Sequence, residues 1–168
     1  MQSPPDPKNP QKPKPPIPET VGATSAPFDL GKGTTTISFD IHEPSGPALL
    51  RSDQQAKRML LRVENVKSQM TAPKFRVYLN LRPGQDPEKH HELHAFSLST
   101  FGLVESSSSK GHHPGDGLSF VEDVTELLAR QTKTGEWNGK TLHVSFVPAP
   151  WGDYPISVQV GRVSLMLE

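Results

Sequence analysis

The residues in this sequence with most obvious chemical potential are histidines. His90, His91 and His94 cluster around Glu92, and His112 and His113 follow in a Ser/Gly/Pro stretch. Imidazole suits copper, so His90, His91 and His94 are the accessory metal-site candidates. His90 and His91 are loop neighbours whose rings need not converge, and they read first as solvated loop histidines; His112 and His113 read the same way. The serines 97, 99 and 106–109 lie in no strand–turn–helix elbow with a Gly-x-Ser-x-Gly pattern. His143 sits in a strand whose inward set is Leu142, Val144 and Phe146, so its ring faces outward or toward a sheet neighbour. Asp116, Glu122 and Asp123 are close in sequence, but helix capping accounts for Asp123. Gly31-Lys32-Gly33 is too short for a phosphate loop and opens no helix. We assign no catalytic residue and no metal site proper. The absence of cysteine excludes a disulfide framework and thiolate metal sites.

The elements that must position these residues are mostly strands. In 75–81, Phe75, Val77, Leu79 and Leu81 alternate with Arg76, Tyr78 and Asn80, which places the first set on one face of a pleat. Pro73 precedes this strand and Pro83-Gly84 ends it. Further strands are read over 34–42 (Ile37, Phe39 and Ile41 inward), 58–66, 93–103, 118–121, 142–147 and 156–167. A turn follows at 43–47, and 52–57 has the option of a helical turn. In the last strand the apolar parity slips at Gly161-Arg162, which predicts a β-bulge there. The single convincing helix follows Asp123 as N-cap, with Glu126 as capping-box partner and Val124, Leu127 and Leu128 as its buried stripe; Gly135 ends it. Ser119 with Glu122 is an alternative cap one turn earlier. About seven short strands, one short helix and no βαβ alternation predict an all-β, antiparallel β-sandwich.

Proline is concentrated at the front of the chain. Residues 1–27 read as a disordered proline-rich linker that cannot bury enough apolar surface to order itself, and 28–168 as the sandwich. The linker lowers the hydrophobic fraction of the 168 residues to 33%. Formal net charge is zero, so there is no basic surplus to draw nucleic acid or an anionic membrane. No segment approaches the ~20 apolar residues of a membrane span. Residues 1–5 carry no apolar signal core; a Met running straight into a proline-rich linker reads as a boundary inside a longer protein. The compartment stays open.

Taken together, these motifs resemble the C-terminal domain of the type-3 copper phenol oxidases, the tyrosinase and polyphenol oxidase family. Plant members open a central strand of this β-sandwich with K-F-D-V; here the position reads Lys74-Phe75-Arg76-Val77, with arginine in place of aspartate. The strand reaching Phe101-Gly102, the segment 120–128, the strand 142–148 and the terminal strand with Gly161 also fit, in the right order. The resemblance implies a domain without its own chemistry or cofactor. In that family it packs over the entrance of a helical dicopper oxidase domain of the same protein, joined by a linker, and keeps the enzyme latent. The family's copper ligands come from helices in sets of three, and no helix here carries such a set.

A shield of this kind needs a protruding group and an apolar rim. Trp151 and Tyr154, in a loop stiffened by Pro148, Pro150 and Pro155, are the leading plug candidates, with Leu103 and Val104 next. Trp151 has the alternative of capping the sandwich core. Two other functions compete. A stand-alone module binding carbohydrate or a cell surface expects an array of exposed aromatics, for which two Trp and two Tyr are few. A copper-delivery partner of a separate oxidase requires the histidine loops to bind metal tightly.

Overall fold

Alternating apolar residues become nine strands in the computed structural model, which describes residues 17–42, 57–110 and 115–168. In chain order these are β1 (Glu19–Ala23), β2 (Phe28–Leu30), β3 (Thr35–Asp40), β4 (Met59–Lys67), β5 (Phe75–Leu79), β6 (His94–Leu98), β7 (Leu118–Asp123), β8 (Thr141–Pro148) and β9 (Val158–Leu167). Two helices, α1 (Leu103–Ser107) and α2 (Thr125–Thr134), and two 3-10 turns (Pro87–Lys89 and His91–Leu93) complete the elements. The turn read at 43–47, the option at 52–56, His112 and His113, and the chain before residue 17 lie outside the described residues.

One sheet runs β1-β9-β4-β7, with β2 also on β9, and the other runs β3-β8-β5-β6. Every pairing is antiparallel. The inward residues of both sheets meet in one core: Leu61, Val63, Val163 and Leu165 from the first, Phe75, Val77, Val144 and Phe146 from the second. Phe28 crosses between them, its ring centroid 5.7 Å from that of Phe146. This is the sandwich that the alternation predicts.

The details differ instructively. β1 lies before the boundary of 28 that composition suggests, because Glu19-Thr20-Val21-Gly22-Ala23 contains only one large apolar residue to signal a strand. Its Gly22 passes so close to β3 that an added Cβ would stand 2.7 Å from the Asp40 carbonyl oxygen. Leu81 leaves the face of Phe75, Val77 and Leu79. Asn80 adopts φ +58°, breaking the two-residue period, and Leu81 joins Tyr78, Leu93 and Val147 in a second small cluster on the outer face of the sheet. The irregularity expected at Gly161-Arg162 sits across the ladder. β4 and β9 keep one register throughout, with Val63 opposite Val163 and Val66 opposite Val160. The register shift lies instead between β4 and β7, where Asn65 takes φ +53°. Gly161 faces it, since a Cβ there would come within 2.7 Å of Asn65 Cβ.

At the start of α2, the Asp123 carboxylate accepts from both the backbone N–H and the hydroxyl of Thr125. It thus stabilises the helix start as expected, from one position further out than an N-cap. Among the described residues no bond from the Glu126 side chain back to this turn accompanies it, and Ser119 instead accepts from Asn65 N–H. Gly135 ends the helix at φ +79°. Beyond it Trp137 is buried, its indole N–H donating to the Thr141 carbonyl.

Candidate functional site

Antiparallel register brings four inter-sheet connections to the same end of the sandwich. Leu30 pairs with Val158 and Lys67 with Gln159, so β2 and β4 finish where β9 begins. Phe75 pairs with both Leu98 and Pro148, so β6 and β8 finish where β5 begins. The loops leaving this end are braced against one another. The Ser68 hydroxyl lies between the carbonyls of Met70 and Ser157, at Oγ–O distances of 2.6 and 2.7 Å, with its one proton to share between them. Thr100 Oγ1 donates to the Ala72 carbonyl, Ala149 N–H to that of Lys74, and Ser68 N–H to Ser107 Oγ.

On this braced frame stand Phe101 (93% exposed), Tyr154 (72%), Met70 and Val104. Phe101 is thrust outward by a turn: Leu103 N–H donates to the Thr100 carbonyl, and Gly102 takes φ +74° to start α1. The same turn drives Leu103 into the core, so of the four plug candidates Leu103 is corrected to a core residue. Its carbonyl receives the hydroxyls of Ser106 and Ser107. Val104 and Tyr154 are exposed. Trp151 is half-buried, edge-on to Tyr154 at 6.5 Å between centroids, with its indole N–H buried and without a partner among the described residues. Phe101, which the family motif places only at a strand end, is not among the plug candidates read from the sequence. Its signal was a bulky aromatic directly before glycine at a strand end, where parity no longer assigns a face.

Beside Trp151 runs a groove of about 380 Å³ on the outer face of β5 and β8, lined by Lys32, Arg76, Glu88, Val147 and Pro148 among others. Arg76, the residue that departs from the K-F-D-V pattern, pairs there with Glu88 and lies 5.9 Å from the Tyr78 ring centroid. Their hydrogen bond raises the Arg76 pKa and lowers that of Glu88. Lys32 Nζ donates to the Asp153 carbonyl, tying the loop between β2 and β3 to the Trp151 loop.

The histidine candidates do not converge. His90 Nδ1 lies 2.9 Å from Glu92 Oε1, and His91 is exposed. His94 packs edge-on against Tyr78 at 5.4 Å, and burial lowers its pKa. Among the described residues no three His, Asp or Glu side chains group so as to hold a metal ion. His143 faces outward as its strand parity predicts. No helix of the described residues is long and apolar enough to cross a membrane.

Comparison with known proteins places this architecture. A recombinantly expressed latent aurone synthase (polyphenol oxidase) shares the fold, with a TM-score of 0.55 at 16% identity over 86% of this chain and 26% of that one. A latent apple tyrosinase does so with a TM-score of 0.50 at 17% identity, over 84% and 27%. The sandwich is therefore a fold found as part of latent polyphenol oxidases. Over residues 17–168 the chain belongs to the family described as "Domain of unknown function (DUF7868)". It is also 26% identical over 156 residues to a tyrosinase of Hahella sp. (strain CCB-MM4), a match covering 91% of this chain and 33% of the tyrosinase. The resemblance drawn from the sequence is borne out, and the chain spans about a third of that curated relative's length.

Proposed function

We propose that this chain is the non-catalytic C-terminal shielding domain of a tyrosinase-like dicopper phenol oxidase. It covers the entrance of the helical oxidase domain of the same parent protein and keeps that enzyme latent. The observation that carries this reading is one of extent: nearly the whole chain matches only a third of a tyrosinase and about a quarter of latent polyphenol oxidases. The copper centre and its chemistry belong to the partner domain, and this chain acts by occupancy. A tethered domain faces its target at an effective concentration on the order of mM, so a contact of modest intrinsic affinity suffices to keep an entrance closed. Tyr154, Val104 and Trp151 remain candidates for the covering group, and Phe101 joins them.

The test is to excise residues 17–168 from the full-length parent at an engineered protease site. Phenol oxidation should rise once the domain is removed by denaturant-free separation. A parent that oxidises phenol equally well before and after excision would refute the proposal.

A further inference from the structure

The groove beside Trp151 is lined by residues that suit a proline-rich stretch of chain: the indole itself, Val147, Pro148 and Pro150, with Lys32 and Glu88 as charged members. Two hydrogen bonds pin its loop, from Lys32 Nζ to the Asp153 carbonyl and from Ala149 N–H to that of Lys74. A site held in this way is formed before anything enters it, so little order is lost on binding. The Trp151 indole N–H is buried and has no partner among the described residues. A polyproline II segment makes no internal hydrogen bonds and keeps its carbonyls free. It can supply the acceptor that this donor lacks while its rings pack on the indole, the usual way an aromatic groove takes proline.

The chain carries such a segment before residue 17, and the fold starts it on the groove's side. β1 abuts β3, an edge strand of the sheet that bears the groove: His42 N–H donates to the Val21 carbonyl at 2.7 Å. Glu19 stands opposite Leu167, whereas Ile156, in the groove wall, precedes the other end of β9. The ten residues of β9 put these ends about 33 Å apart. Drawn out as polyproline at ~3.1 Å per residue, residues 1–16 would reach about 50 Å, so Pro4-Pro5-Asp6-Pro7 arrives with length to spare. Charge agrees with this register. Lys32 spends one ammonium proton on Asp153 and keeps two for an anion, and Asp6 is the one carboxylate side chain in residues 1–16. We infer that the Trp151 groove holds the chain's own proline-rich segment, with Pro4-Pro5-Asp6-Pro7 against the indole and Asp6 beside Lys32. Tethering gives this segment an effective concentration on the order of mM, which favours it over a separate proline-rich partner. The inference is independent of the shielding role.

The 168-residue chain has no cysteine, so Ser3→Cys takes a single nitroxide label. The backbone amides of Lys32, Val147 and Gly152 should then show paramagnetic broadening in nuclear magnetic resonance spectra. Those of β7, at the edge of the other sheet remote from β1, should not. Pro4→Gly, Pro5→Gly and Pro7→Gly together should cut the broadening rate about threefold or more, because losing an anchor contact shifts the docked-to-free ratio roughly tenfold. These prolines precede the sandwich strands, so the glycine variant tests docking even if Trp151→Ala fails to fold. Folded Trp151→Ala, with β4 and β9 amides as in wild type, should lose broadening to the same extent. Absence of broadening at the groove, or broadening that either folded variant leaves unchanged, overturns the inference. So does broadening that appears only when isotope-labelled chains are mixed with nitroxide-labelled ones, which assigns the groove to a second copy's segment.

Discussion

Gln131 is wholly buried, yet both ends of its amide are satisfied. Its Nε2 donates to the Leu79 carbonyl at 2.9 Å, and its Oε1 accepts from Asn80 Nδ2 at 2.7 Å. Asn80 Oδ1 in turn accepts from His143 N–H, so α2, β5 and β8 meet in one polar junction. Gln131→Leu would strand the Leu79 carbonyl and the Asn80 amide in a dry site. The expected cost is about 2–3 kcal/mol, seen as a lower urea midpoint with unchanged m-value. In the sequence nothing singles this glutamine out beyond the Val124, Leu127, Leu128 stripe, since a polar side chain gives no hint of where its partner lies. Gly117 makes a second residue-scale case. It combines φ +79° with a would-be Cβ only 2.1 Å from the Val66 carbonyl oxygen. Gly117→Ala should therefore cost about 3 kcal/mol or more, measured by thermal unfolding, by displacing the β4–β7 bulge.

At the scale of elements, two junctions respond to acid in the same direction. The outer face of β5 and β6 holds His94 against Tyr78, and burial lowers its pKa below the usual 6.5 or so, with the Arg76 and His91 charges adding to the effect. The unfolded chain thus takes up this proton first, and stability falls as pH drops below about 6.5 until the folded-state histidine also protonates. At the start of α2, the Asp123 carboxyl is held low by its bonds from Thr125 and then by Arg58. Its contribution is complete above about pH 4 and is lost as pH falls further. We expect two separate declines in melting temperature on acidification. His94→Phe, which keeps a ring on Tyr78, should remove the upper decline and leave the lower. A His94→Phe protein whose melting temperature still falls between pH 7.5 and 5.5 as in wild type would contradict this assignment. The Arg58 pairs with Asp123 and Glu168 lie in solvent and contribute little beyond the helix start they decorate.

For the whole molecule, the direction of the chain sets a demand on the tether. β1 enters beside the C-terminal end of β9, Glu19 opposite Leu167, whereas the exposed loops leave at the Val158 end. A ten-residue strand is about 33 Å long, so, on the shielding role proposed above, a tether to an oxidase domain held at the loop end would cover roughly that span. Polyproline advances ~3.1 Å per residue, which asks for about eleven residues. On the shielding role proposed above, deleting residues 3–14 of the proline-rich segment from the full-length parent should release phenol oxidase activity although the sandwich is still attached. A deletion mutant as latent as wild type would show that the domain faces the oxidase by another side.

The sequence determined the two-sheet architecture by itself, because period-two alternation such as Phe75-Val77-Leu79 has only one way to be buried on a face. It also marked the helix near Asp123 and the family resemblance through the order of its motifs. Three-dimensional packing decided the rest. Leu103 and Phe101 are neighbours of similar hydrophobicity, and only the turn at Gly102 sends one into the core and the other into solvent. Leu81 changed faces because a single asparagine took a left-handed backbone conformation. Which end of the sandwich gathers exposed apolar groups depends on register between strands far apart in the chain, and local pattern carries no record of it.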